Sequence, residues 1–327
     1  MLRTLNATAE HWPLSTPFRI SRGVRTQADV VVAQVWDGVH LGQGEGVPIP
    51  RYGDTVESCV DQLQAIAREV AGGLGRRELL DVLPPGAARN ALDCALWDLE
   101  AKQAGRSVAE LAGLTPAASV VTALTVGLAA PDEMGRAAAA IAGHPLLKVK
   151  VDATDPARQI AAVRAAAPEA TLIVDANEAW DLELVEAMQS VLASTRVALL
   201  EQPLPAGQDE GLAGIRPLTP ICADESCHVA ADVAGLSNRY QAVNIKLDKT
   251  GGLTAALDLL AAARAQGMMV MTGCMICTSL SVAPAFYVGG QADFVDLDGP
   301  VWLACDRPGG VRLEDGRLLA PTAGFWG

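Results

Sequence analysis

The chain has 327 residues, half of them apolar, and a formal net charge of -13. That length buries a large core and exceeds one ordinary domain, so a barrel of about 200 residues plus a smaller domain accounts for it. The acidic balance excludes nucleic acid and an anionic membrane surface, which both call for basic patches. No apolar run reaches the roughly 18 residues of a membrane helix. The opening MLRTLNATAEHWPL lacks the apolar stretch of a signal peptide, which predicts a cytoplasmic protein. The seven cysteines are odd in number and mostly lie in apolar surroundings, which predicts reduced, buried thiols.

From Met1 to about Leu114 the pattern is that of an α+β domain. VVVAQVWDG and the stretch leading to GQGEGVPIP read as paired strands with a turn near Asp37-Gly38. VESCVDQLQAIAREVAG reads as a helix, with Cys59, Leu63, Ile66 and Val70 on one face. ARNALDCALWDLEAKQAG reads as a second, apolar at Leu92, Ala95, Leu96 and Leu99 and stopped by Gly105.

From about Ala117 strands and helices alternate. VVTALTV precedes PDEMGRAAAAIAG, LLKVKV precedes DPARQIAAVRAAAP, and TLIVDA precedes DLELVEAMQSVLAST. LLEQP opens a segment without clear periodicity. ICADES precedes CHVAADVAGL, AVNIKL precedes TAALDLLAAARAQG, and MMVMTGC precedes SLSVAPAFYVGG. FVDLD is an eighth strand with no helical pattern after it. A repeat of this kind is the period of a β/α barrel, here a modified TIM barrel of (β/α)7β form. The last stretch, from VWLACDRPGG, reads as short strands and turns returning to the first domain. The predicted division is residues 1–115 with 303–327 for the cap, and 116–302 for the barrel.

Charged side chains sit at the ends of the barrel strands: Lys148 and Lys150, Asp175, Glu201, Asp224 and Lys246. In a β/α barrel catalytic residues gather at those C-terminal ends. Alternation points Lys148 and Lys150 to one face, and likewise Asp296 and Asp298. Their neighbours Leu146, Leu147, Val149 and Val151 are apolar, so exposed lysines on a solvated strand are the weaker reading. Singly, each acid also reads as a helix cap, with Asn177 or Asp181 sharing that role after Asp175, and Glu225 or Ser226 after Asp224. Together, three acids on consecutive strands repel one another unless a cation intervenes, and hard oxygen ligands suit Mg2+. Lysines on either side of such a centre predict acid/base chemistry.

KVK, VDANEAW, EQP, ADES and NIKLDKTGG, in that order, resemble the strand-end motifs of the enolase superfamily, muconate-lactonizing subgroup. GCMICTS and DLDGP are similar to those of its dipeptide epimerases, notably the L-Ala-D/L-Glu epimerases. PFRISRGVRT, GEGVPIPRYGD and ARNALDCALWDLEAK resemble that family's capping domain. The resemblance implies an isomerase in which Asp175, Glu201 and Asp224 hold Mg2+ and Lys150 and Lys246 are acid/bases on opposite faces. Lys148 would hold the substrate carboxylate and favour the neutral form of Lys150. Asp296 and Asp298 would receive the ammonium of the dipeptide, and Arg25 (or Arg22) its distal carboxylate. It further implies inversion of the glutamate α-carbon through an enediolate, a dipeptide as small-molecule partner, and a role in peptidoglycan recycling. A homo-oligomer stays open.

Cys274 and Cys277 form a CxxC without a second half, which predicts a structural or pocket-wall role rather than zinc. Lys249-Thr250-Gly251-Gly252 reads as the turn after the sixth barrel strand. Trp180 and Trp302 read as packing residues. The rival readings are a sister cycloisomerase, an o-succinylbenzoate synthase, an N-acylamino acid racemase, or a catalytically silent binding barrel. A zinc hydrolase is weaker still, because His11, His40, His144 and His228 are scattered.

Overall fold

The computed structural model describes residues 3–20 and 23–327. An antiparallel sheet begins the chain, with strands β1 (Thr4–Ile20), β2 (Gly23–Trp36) and β3 (Leu41–Gly46) in that spatial order. The turn expected at Asp37-Gly38 joins β2 to β3, and Asp37 N donates to His40 O at 3.2 Å. β1 went unread in the sequence. Pro13 and Pro17 lie in it, which an edge strand tolerates because the outer side of its backbone is paired to no strand and carries only a single bridge, Leu14 to Leu303, among the described residues.

β2 buries both faces. Val31, Ala33 and Val35 pack with Cys59, Leu63, Leu92, Leu96 and Leu99 in the cap core. Val30 and Val32 join Trp97 in the larger core that runs into the barrel. The expected helix from Val56 is two, Val56–Ala65 and Ala67–Ala71. The helix Ala87–Ala104 lies directly on β3. A Cβ on Gly42, Gly44 or Gly46 would come within 2.2 Å of the Ala95, Ala91 or Ala87 carbonyl oxygen, so only glycine permits this approach.

β4 (Ser119–Val121) and β5 (Leu124–Val126) divide the stretch expected as one strand. β4 pairs with the C-terminal hairpin of β13 (Arg312–Glu314) and β14 (Arg317–Leu319), whereas β5 opens the barrel. The strand changes partner at Thr122 and Ala123, where Thr122 O takes His144 Nε2 at 2.9 Å. From β5 run seven further parallel strands: β6 (Leu146–Lys150), β7 (Thr171–Asp175), β8 (Val197–Glu201), β9 (Ile221–Ala223), β10 (Ala242–Ile245), β11 (Met269–Gly273) and β12 (Phe294–Asp296). Ala123 N to Val295 O at 2.8 Å and Leu297 N to Thr122 Oγ1 at 2.8 Å bring the two ends of the sheet together.

Helices follow β5, β6, β7, β10 and β11. A short turn, Glu210–Gly214, takes the place after β8 where no periodicity was visible. After β9 come a single 3-10 turn, Ala230–Asp232, and the four-residue helix Val233–Leu236. Among the described residues no helix is long and apolar enough to cross a membrane. The stretch from Leu303 touches both units. Ala304 N bonds Pro13 O at 2.8 Å and Trp326 Nε1 bonds Gln43 O at 2.8 Å, while β14 pairs with β4. We propose the division 1–115 with 303–327, and 116–302, as the two folding units.

Candidate active site

The barrel interior has two layers. Leu146, Ile173, Leu199, Cys222, Ala242 and Met271 fill the lower one. One inward step along these strands, at the C-terminal ends, the side chains turn polar, except on β11, where the step from Met271 is Gly273. Lys150 pairs in register with Asp175 and Asp175 with Glu201, so these three stand level. Cys222 is opposite Glu201, which puts Asp224 two residues farther on the same face.

These groups are buried and interlocked. Lys148 Nζ lies 3.0 Å from Asp175, 2.7 Å from Glu201 and 2.9 Å from Asp296. Lys150 Nζ is 2.6 Å from Asp175 and 3.0 Å from Asn177 Oδ1. Lys246 Nζ is 2.6 Å from Asp224 Oδ2. Asn177, expected as a possible cap, turns instead to Lys150, and Asp181 caps the following helix through Leu184 N. Past Asp224 the acceptor for the free backbone donors is Asp232, not Glu225 or Ser226.

Burial and charge pull against each other here. Burial opposes the Lys148 ammonium, but Asp175, Asp296 and Glu201 hold its pKa well above the usual lysine range. Burial likewise opposes the Lys246 ammonium, but Asp224, with Glu201 and Glu225, together hold its pKa above the usual lysine range. Asp175 and Asp224 are pushed up by burial yet held below the ordinary carboxylate value by their lysines. Glu201 goes the other way, to about 7, through burial and the neighbouring Asp175. Asp298 rises to about 6, from burial and Asp296.

Six buried acids (Asp175, Glu201, Asp224, Glu225, Asp296, Asp298) face four buried lysines (Lys148, Lys150, Lys246, Lys249). Burial raises Glu201 first and the neighbouring Asp175 second, and the excess of two buried acids over buried lysines is a charge that a divalent cation would match. Glu201 Oε2 and Asp224 Oδ1 meet ammoniums at ion-pair distance but take no hydrogen bond. In this arrangement the carboxylates turn to the lysines. Among the described residues no three acid, His or Cys side chains close on one metal position. The donor set, three buried carboxylates with open lone pairs, nonetheless fits Mg2+.

Above this layer is a cavity of about 460 Å3, lined by Lys148, Lys150, Asp224, Lys246, Asp296 and Asp298. Asp175 and Glu201 lie beneath it. The cap supplies Phe18, Arg25 and the segment Ile49–Tyr52 as its outer wall. Arg22 lies outside the described residues. Asp298 Oδ2 accepts from Thr125 N at 3.0 Å and Trp302 Nε1 at 3.3 Å, and Asp296 Oδ1 is buried without a hydrogen bond. Trp302, expected only to pack, also lines the cavity, edge-on to Phe18 with centroids 4.6 Å apart. Trp180 is buried. Cys274 lines the cavity and Cys277 lies buried behind it. A hydrogen bond to Cys274, then burial, pushes the Cys277 thiol well up. All seven cysteines are free, with Cys305 exposed.

Several site residues escaped the sequence reading. Lys249 Nζ donates to the Asp224, Cys227 and Asn244 carbonyls and pairs with Asp224 Oδ1 at 2.7 Å. Asn244 Nδ2 donates to Glu201 Oε1 at 2.8 Å. Gln202 holds a positive φ of 34°, and its Oε1 accepts from Asp224 N at 2.8 Å. Arg51 joins Arg25 as a second cap cation on the cavity wall and pairs with Glu178. Period and spacing could have flagged Asn244, an inward polar residue two before Lys246. The others reveal themselves only through distant partners.

Residues 2–113 match the mandelate racemase / muconate lactonizing enzyme N-terminal domain, and residues 133–325 the enolase C-terminal domain-like family. The chain belongs to this family of the enolase superfamily. It is 49% identical to the L-Ala-D/L-Glu epimerase of Escherichia coli (strain K12), over 97% of this chain and 99% of that one. It is 42% identical to an N-acetyl-D-glutamate racemase of Pseudoalteromonas sp, over 91% and 95%. The structure is similar, with a TM-score of 0.97 and 50% identity, to an enolase family member from Agrobacterium tumefaciens with homology to dipeptide epimerases, solved with sodium and L-Ala-L-Glu. That match covers 99% of this chain and 100% of the other. A dipeptide epimerase from Cytophaga hutchinsonii, complexed with Mg and D-Ala-L-Val, matches at TM-score 0.91 and 26% identity, over 98% and 94%.

Proposed function

We propose that this protein is a Mg2+-dependent dipeptide epimerase that inverts the glutamate α-carbon of L-Ala-D/L-Glu by a two-base proton transfer. The observation that carries this reading is the placement of two buried lysines. Lys150 ends β6 and Lys246 follows β10, four strands apart in an eight-stranded barrel, and so on opposite walls with the acids between. One base on each side of an α-carbon is what inversion of a stereocentre needs.

In this reading Asp175, Glu201 and Asp224 would hold the metal, and Mg2+ bound there would supply stabilisation for a second negative charge on the substrate carboxylate. Lys148 stays cationic and binds that carboxylate. Asp175 and Asp224 are the acids that now pair with Lys150 and Lys246. With those two acids serving as ligands, Lys150 and Lys246 would be released from these ion pairs to face the substrate α-carbon. One lysine removes the α-proton to give an enediolate, and the other delivers a proton to the opposite face. Asp296, with its unbonded Oδ1, and Asp298 receive the ammonium of the N-terminal residue. Arg25 meets the distal glutamate carboxylate. Peptidoglycan peptide recycling is the setting such a substrate implies, and the cytoplasm its place.

The Pseudoalteromonas relative supports a second reading, racemisation of N-acetyl-glutamate, which presents the same α-carbon without an ammonium. Screening free dipeptides and N-acetylated amino acids for α-proton exchange in deuterated water with Mg2+ separates the two. The expected result is rapid exchange at glutamate in L-Ala-L-Glu and L-Ala-D-Glu. Exchange in N-acetyl-glutamate alone would replace the dipeptide assignment, and no exchange in any compound would mark a binding barrel.

A further inference from the structure

The turn that carries Lys246 is held by the cap as well as the barrel. Lys246 begins the one-turn helix Leu247–Thr250, and its carbonyl accepts from Lys249 N and Thr250 N, both at 3.0 Å. Arg89, in the first turn of the cap helix Ala87–Ala104, closes the far end. Its Nη2 donates to Thr250 O at 2.6 Å and its Nε to Gly251 O at 3.1 Å. Gly251 and Gly252 have φ of 75° and 113°, and a Cβ on either would strike Arg89 or Asp93 at 2.5 Å or less. Cap and turn therefore share an interface with no slack.

At its centre is Asp248, 3% exposed and two residues after Lys246. Its Oδ1 accepts from Asn90 Nδ2 at 2.7 Å and from Val47 N at 2.8 Å. Asn90 also donates to Glu45 O at 3.2 Å, which fixes the end of β3. Val47 leads straight into Ile49–Tyr52, the cap segment that walls the cavity. One oxygen atom therefore ties the substrate-facing wall of the cap, the cap helix and the turn bearing Lys246. Lys150, on β6, has its Nζ held within the barrel by Asp175 and Asn177. Among the described residues the cap on that side reaches only the loop after β7, where Arg51 pairs with Glu178, and not the strand that carries Lys150.

We propose that Asp248 is a positioning residue that sets Lys246 against the cap's cavity wall, so that the reach of this one base depends on the seating of the cap. The inference rests on the two-base reading above and adds to it an asymmetry: one face of the substrate is served by a base that the cap aligns.

The test measures deuterium entry into L-Ala-L-Glu and L-Ala-D-Glu separately, in wild type, Asp248→Ala, Asp248→Asn and Asn90→Ala, with Mg2+ present. Lys246→Ala identifies which isomer that lysine serves. Asp248→Ala should slow exchange in that isomer by about tenfold or more relative to the other, since sub-ångström misplacement of a base is enough for such a loss. Asp248→Asn keeps the accepting oxygen and should stay close to wild type. Asn90→Ala, which removes one of two bonds, should show the same asymmetry more weakly, and it serves if Asp248→Ala does not fold. Equal slowing of both isomers, or no slowing, overturns the inference while leaving the two-base reading intact. Absence of exchange in the wild type would overturn that reading itself, and this inference with it.

Discussion

At the scale of single residues, the proposed function rests on a few buried charges with separable tasks. Lys150→Ala and Lys246→Ala should each lower epimerisation by about 10²–10⁴-fold, the usual contribution of a placed acid/base. Each variant should still exchange deuterium into the isomer served by the surviving lysine, read by proton NMR. Near-normal turnover in either would remove it from the mechanism. Asp296 and Asp298 carry the dipeptide assignment. Replacing both by asparagine preserves shape, including the Asp298 oxygen that accepts from Thr125 N. A charge-assisted contact of about 1.5–3 kcal/mol would go, raising KM for L-Ala-D-Glu roughly 10- to 150-fold. Mg2+ affinity should hardly move, because the ligands lie on other strands. If KM is unchanged, the ammonium is not read here and the N-acetyl-glutamate reading gains.

At the scale of elements, each proposed metal ligand comes from the end of a different strand. Mg2+ should raise the Tm of the wild type, and each of Asp175→Asn, Glu201→Gln and Asp224→Asn should abolish that rise. An undiminished rise in all three would relocate the metal. These strands were legible because an inward charge at the end of an apolar run is costly to bury unless a partner or a site compensates it, and because strand and helix alternate in period. β1 was not: its two prolines break the strand signal, and its residues are mostly half exposed or exposed. The break of VVTALTV into β4 and β5 was hidden for another reason. Its cause is tertiary, a change of partner from the C-terminal hairpin to β6. Asp248 was equally invisible, since the groups that hold it lie 158 and 201 residues away. Its pKa is pushed up to about 7 by burial, which outweighs the bonds from Val47 and Asn90, with Glu45 and Asp54 adding to the rise. A carboxyl group raised on folding contributes stability fully below its unfolded pKa and loses it as pH climbs through the folded value. Between about pH 4 and 7 the loss approaches 1.4 kcal/mol per pH unit. Asp248→Asn does not titrate and keeps the accepting oxygen, so in urea unfolding it should exceed the wild type at pH 8 and lose that margin at pH 5. A pH-independent difference would show that the charge is not what burial penalises.

At the scale of the whole molecule, cap and barrel are joined through polar groups as well as through a shared apolar core. Arg307, in the C-terminal stretch, bonds Glu10 of β1 at 2.5 Å and Glu45 of β3 at 3.0 Å, and its Nε donates to Thr278 Oγ1 at 2.7 Å. Thr278 opens the helix behind the cavity wall, and its N donates to Glu45 Oε1 at 2.8 Å. Glu45 is fully buried, and burial pushes its pKa up against the opposing Arg307 charge. One guanidinium thus neutralises the buried acid around which cap sheet, barrel loop and tail meet. Arg307→Met keeps much of the side-chain volume but strands that acid, a change that costs about 3–5 kcal/mol when a buried pair is broken. The loss should be largest at pH 8 and shrink toward pH 5, because Glu45 without its cation escapes the penalty by taking up a proton. Urea unfolding at the two pH values reads this directly, and an equal loss at both would mean that packing, not charge, joins the two units at this point.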